Sequence, residues 1–138
     1  MTEPVPPFGH GRVCELPFAT TVERLRAAVE AHGLWVLHEI NPQAIVARAG
    51  HEIGLTRQIL FFHPDFMVRL VAADPAALLE APLKFAVMEL DGAVSVRWLD
   101  PAMGFARYGN AALAEVGREL EILCERIVDD ALAPNPQK

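Results

Sequence analysis

Residues 83–99 read LKFAVMEL (83–90), Asp91-Gly92, then AVSVRWL (93–99). Two runs rich in large and β-branched side chains flank a dipeptide suited to positive φ at both central turn positions. Such a type I′ turn twists in the same sense as the strands it joins. The stretch therefore predicts an antiparallel hairpin. Side chains alternate between the faces of a strand, so Val94, Val96 and Trp98 share one face and Ser95, Arg97 and Leu99 the other. Glu89 falls in step with Phe85 and Val87. Asp100-Pro101 ends the second run, because proline has no N–H to give the ladder.

Working outward, TRQILFF (56–62) reads as another strand, and four consecutive apolar residues place it centrally in the sheet. It stops at His63-Pro64. LWVLHEI (34–40) is a strand before it, and RVCEL (12–16) is the first, ending at Pro17.

Between the strands the apolar period changes from two to about 3.6. Thr20 with Glu23 three positions on forms a capping box. Val22, Leu25, Val29 and His32 then make one stripe of a helix ending at Gly33. His32 lies where an imidazole meets free carbonyls and the negative end of the helix dipole. Asn41-Pro42 opens a short helix with Ile45, Val46 and Ala49 turned inward, closed by Gly50. Phe66, Met67, Leu70 and Val71 mark another, stopped by Asp74-Pro75. Asn110 caps a last helix of about five turns, in which Leu113, Val116, Leu120, Leu123 and Ile127 repeat at three and four. Gly117 interrupts that helix at a cost of about 1 kcal/mol against alanine. A close neighbouring backbone would explain it, from the sheet or a second subunit.

The order predicts an α+β two-layer sandwich, a mostly antiparallel sheet covered on one face by the first and last helices. Residues 1–11, with three prolines and two glycines, read as a flexible arm; 12–132 as a single domain; 133–138 as a disordered tail. A chain of 138 residues buries roughly two-thirds of its unfolded surface, enough for a core without metal or disulfide staples. With 52% hydrophobic and 22% charged residues the chain is globular.

A net charge of −6, with no basic cluster, argues against binding nucleic acid, which requires counterion release by a cationic face. No apolar run nears the ~18 residues that span a bilayer, and the N-terminus lacks signal-peptide character. A cytoplasmic protein with no membrane partner is expected. Cys14 and Cys124 read as reduced, small hydrophobes.

Three stretches, TTVERLRAAVEAHGLWV, ILFFHP and APLKFAVMELDGAVSVRWLDP, resemble the domain-of-unknown-function 302 (DUF302) family over roughly residues 16–109. The resemblance implies a small α+β domain similar in fold to the TATA-box-binding protein. It implies no activity. Here the chain carries His63 in a region where the family usually has glycine or asparagine, and Ala81 before Pro82.

Catalytic and metal motifs are not written in the sequence. Ser95, the only serine, has no G-x-S-x-G elbow. The five histidines never fall at helical ligand spacing, no Cys/His cluster occurs, and no cofactor motif appears. A metal site assembled from distant residues such as His38, His51 and His63 is the one arrangement left open. If the strands are neighbours, Arg57, His63, Glu89, Arg97 and Asp100 collect at one face or rim, a polar set suited to a small anion or to proton transfer. The plain alternative is a set of solvated strand ends with Glu89 and Arg97 paired across the hairpin, worth about 0.2–1 kcal/mol. The favoured reading is a non-enzymatic domain that binds a small ligand or another protein, as a homodimer joined through Phe105, Tyr108 or Trp98. The second is an enzyme or metal-dependent protein using the rim of His63, Arg97, Glu89 and Asp100.

Overall fold

The computed structural model describes residues 5–134. Its strands are β1 (Gly9–Cys14), β2 (Trp35–Ile40), β3 (Thr56–Phe62), β4 (Leu83–Leu90) and β5 (Ala93–Leu99). Its α-helices are α1 (Phe18–Ala31), α2 (Pro42–Arg48), α3 (Pro64–Ala73), α4 (Pro101–Ala106) and α5 (Ala111–Leu132), with a 3-10 helix at Pro75–Glu80. The strands form one antiparallel sheet in the order β1-β5-β4-β3-β2. The α+β sandwich expected from the sequence is the fold.

The hairpin forms as its turn residues dictate. Asp91 and Gly92 take φ of 52° and 82°, and Leu90 faces Ala93. Register then lays Ile59 beside Phe85 and Val87 beside Val96, all buried. Against this face α1 sets Val22, Leu25 and Val29, and α5 sets Cys124, Ile127 and Val128. Phe61 and Phe85 stack at 4.5 Å within it. A second cluster lies where α3, the 3-10 helix, α4 and the first half of α5 meet, around Phe62, Leu70, Phe105, Leu113 and Val116. Leu123 and Leu83 pack on both clusters, so α5 ties them together.

Several local expectations change. β1 spans Gly9–Cys14, three residues earlier than the run 12–16, so the supposed arm already pairs with β5 from Gly9. Residues 1–4 and 135–138, part of the expected arm and tail, lie outside the described residues. The capping box of Thr20 and Glu23 does not form. Helix α1 begins two residues before Thr20, after Pro17, because burying Phe18 recruits that residue into the first turn. Buried Thr21 is satisfied instead by donating to the Pro17 carbonyl at 3.0 Å. In α2 no residue is buried and Ile45 is half exposed, since this short helix follows edge strand β2. The 3-10 helix and α4 are additions to the elements that the sequence pattern predicts.

Gly117 meets α4 of its own chain. A Cβ there would stand 2.9 Å from the Pro101 carbonyl oxygen and 3.1 Å from Ala102 Cα and Phe105 Cβ. Phe105 and Trp98, expected at a dimer contact, are 1% and 5% exposed. Among the described residues, no helix is long and apolar enough to cross a membrane.

Candidate functional site

Strand register decides which polar side chains can meet. Glu89 faces Val94 and so lies on the helix-covered face, whereas Arg97 faces Ala86 on the other. The expected cross-hairpin pair therefore does not form. Arg57 sits beside Thr56, at the end of β3 that pairs with the end of β4. There its Nε lies 3.5 Å from Glu39 Oε2 and its guanidinium covers the Phe18 ring at 5.5 Å. His63 lies at the opposite end of β3. Its Nδ1 accepts the Asp65 N–H at 3.0 Å, which makes it the N-cap of α3, and its ring meets Trp35 edge-on at 5.6 Å. Of the five rim candidates, Arg57 and Glu89 belong to one end of the sheet and His63 and Asp100 to the other.

Asp100 instead gathers residues that sequence reading passed over. As N-cap of α4, its Oδ1 accepts the Met103 N–H at 2.9 Å. Its Oδ2 stands 3.0 Å from His10 Nε2, brought alongside by the pairing of β1 with β5. Glu121 of α5 approaches the same nitrogen to 3.6 Å, and Glu125, one turn on, lies 3.8 Å from His10 Nδ1. The imidazole stacks on Trp98 at 5.4 Å between centroids. Arg12 joins Glu125 at 3.2 Å and Asp129 at 2.6 Å.

This cluster separates its two carboxyls electrostatically. Burial opposes the charge on Asp100, but the Met103 amide, His10 and Glu121 together outweigh it and hold its carboxyl below the ordinary value. Burial, then the adjacent Asp100 charge, pushes Glu121 up. Among the described residues, His10, Asp100 and Glu121 are the set whose ligand atoms converge, all within 4.8 Å of one another. His38, His51 and His63 do not.

Asp100 and Trp98 also line a cavity of about 780 Å³, between the start of β4, the end of β5, the 3-10 helix and α4. Its wall is mostly apolar, with Phe8, Leu79, Leu83, Leu99 and Met103. Polar groups are few. Lys84 lies on one strand, and Arg107 donates to Glu80 at 2.8 Å, as does the Tyr108 hydroxyl at 2.7 Å. Gly104 lets α4 approach that carboxylate, since a Cβ would lie 3.0 Å from Glu80 Oε1. Cys124 borders the cavity too, but burial pushes its thiol up to about 12, so it is no nucleophile at neutral pH.

The signal for the cavity lay in the run PAALLE (75–80) and in Met103, apolar residues with no place in a strand or helix stripe. His10 carried no signal of its own, standing in a proline- and glycine-rich stretch.

No curated relative matches the chain. A solved structure does, the crystal structure of an uncharacterized conserved protein DUF302 from Bacillus stearothermophilus. It has a TM-score of 0.85 and 17% sequence identity over 91% of this chain and 99% of that one. That likeness speaks for the fold. The family model described as "Domain of unknown function DUF302" matches residues 10–131, from the first strand almost to the end of α5, and on that evidence the chain belongs to the DUF302 family.

Proposed function

We propose that this domain is a binding module for a small, largely apolar molecule, held in the cavity between the 3-10 helix, α4 and the ends of β4 and β5. One observation carries the reading. Leu79, Leu99, Phe8 and Met103 are 86%, 61%, 53% and 48% exposed, yet all four border the same concavity. Scattered exposed hydrophobics are ordinary on a protein surface, whereas a group of them around one hollow marks a place that is covered in use. The volume of about 780 Å³ lies in the range typical of small-molecule sites. Lys84 and the Arg107–Glu80 pair supply a polar handle that would orient the guest.

Chemistry on the guest finds less support. The thiol bordering the cavity is protonated at neutral pH, and the lone serine, Ser95, is buried within β5. Binding without turnover is the simpler reading.

Titration with anilinonaphthalene sulfonate, followed by displacement with straight-chain carboxylates of increasing length, tests it. Saturable binding to one site is expected. Leu79→Arg and Leu99→Arg should each weaken it at least tenfold without unfolding the chain, because both side chains are exposed. Ile122→Arg, on the outer side of α5, should leave it unchanged. Binding that is non-saturable, or indifferent to both cavity variants, overturns the proposal.

A further inference from the structure

The cluster beneath Asp100 has the geometry of a cation site. A first-row divalent ion bound by imidazole and carboxylate groups holds its ligands at about 2.0–2.2 Å, which places neighbouring ligand atoms roughly 3–3.5 Å apart. His10 Nε2 stands 3.0 Å from Asp100 Oδ2 and 3.6 Å from Glu121 Oε2, close to the edges of such a polyhedron. The three ligands come from a strand, a helix cap and a separate helix, so the fold itself assembles them. They are 28%, 13% and 30% exposed, which leaves solvent access for an incoming ion.

Each ligand is held by something else. Asp100 is fixed through its other oxygen by the Met103 N–H. His10 is fixed by its stack on Trp98, and its second nitrogen faces Glu125 in the manner of a carboxylate supporting a metal-bound imidazole. Two carboxyl groups converge on the imidazole here, and a cation between them would offset their mutual repulsion.

A second, separate observation comes from Trp98. Trp98 is 5% exposed, and its Nε1–H has no hydrogen-bond partner among the described residues. A buried donor left unpaired costs about 1–3 kcal/mol. It belongs to the ring that carries His10 and to the cavity wall that includes Asp100.

We propose that His10, Asp100 and Glu121 bind one divalent cation of the zinc or manganese class through a nitrogen and two carboxylate oxygens, with its remaining positions open toward solvent and the cavity. One nitrogen with two hard oxygens suits such ions, and the missing thiolate disfavours copper(I).

The test uses the untagged, chelator-treated chain and the metal salts alone. Calorimetry with zinc and manganese chloride should show one equivalent bound and a rise in melting temperature. His10→Ala and Glu121→Gln should each weaken binding at least tenfold. Asp100→Asn retains the oxygen that caps α4 and should weaken it as well. His32→Ala removes a different histidine–carboxylate contact, that with Asp130, and should have no effect. Manganese should broaden the nuclear magnetic resonance signals of His10 and the Trp98 indole before those of His38, His51 and His63. Leu79→Arg should leave metal binding intact, so loss of the cavity function and loss of the cation site are read separately. The absence of stoichiometric binding overturns the assignment, as does binding that survives both His10→Ala and Glu121→Gln, or broadening centred on other histidines.

Discussion

At Gly117 two effects of opposite sign compete within one side chain. Alanine would favour the helical backbone by about 1 kcal/mol. The added Cβ, however, would press on the Pro101 carbonyl at 2.9 Å, and that oxygen belongs to backbone that cannot swing aside. Overpacking of this kind costs about 1–3 kcal/mol. Gly117→Ala should therefore lower stability by about 1 kcal/mol, read as a smaller urea midpoint at unchanged slope. The sequence shows that Gly117 is costly and that a close backbone would explain it, from the sheet or a second subunit; the neighbour is instead α4 of the same chain. The sequence could not show this, because the six residues of α4 carry too little periodicity to announce a helix. Phe105 and Trp98 misled for the same reason. Read along the chain each is a candidate surface aromatic, whereas α4 and the sheet enclose it. His10 marks the other limit of legibility, since its partners are 90 and more positions away and no local pattern joins them.

At the scale of elements, caps and turns were the readable features, because each is a local competition among a few backbone groups. Asn110, Asn41, Gly33 and Asp91-Gly92 all behave as their chemistry predicts. Asn110 has a further task. Its Oδ1 accepts the Leu113 N–H at 3.0 Å while its Nδ2 donates to the Ala73 carbonyl at 3.1 Å, joining the start of α5 to the end of α3. Asn110→Ala loses both, and a loss of about 1–2 kcal/mol is expected. Asn110→Asp keeps the acceptor alone and should recover roughly half in thermal unfolding. Where tertiary packing competed with a cap, packing won. Thr20 and Glu23 offer a sound capping box, but burial of Phe18 starts α1 three residues earlier, with Pro17 in the cap position. Register was similarly within reach. A two-residue turn at Asp91-Gly92 by itself sets Glu89 opposite Val94 and so separates Glu89 from Arg97.

For the molecule as a whole, the buried thiol of Cys124 links folding to alkaline pH. Desolvation first, then Glu121, Glu125 and Asp100, raise its pKa from 9.0 to about 12. Between those values the folded chain keeps a proton that the unfolded chain has released. Stability is thus unaffected below about pH 9 and falls as pH rises, by up to about 1.4 kcal/mol per unit from this group. Urea unfolding at pH 7 through 10.5 should show that decline in the wild type and a shallower one in Cys124→Ala. The fold class was legible because a hairpin and two amphipathic helices carry most of the large core. The cavity was not, because much of its wall comes from the 3-10 helix and α4, each too short to show a period.

The two hydrophobic clusters differ in what encloses them. One is clamped between a five-stranded ladder and two long helices, while the other is roofed by α3, α4 and the 3-10 helix, and the cavity opens beside that roof. Short roof pieces can part from one another while every rung of the ladder stays intact. Were a guest molecule bound as proposed, its residence time would follow the mobility of those short pieces rather than the strength of the sheet.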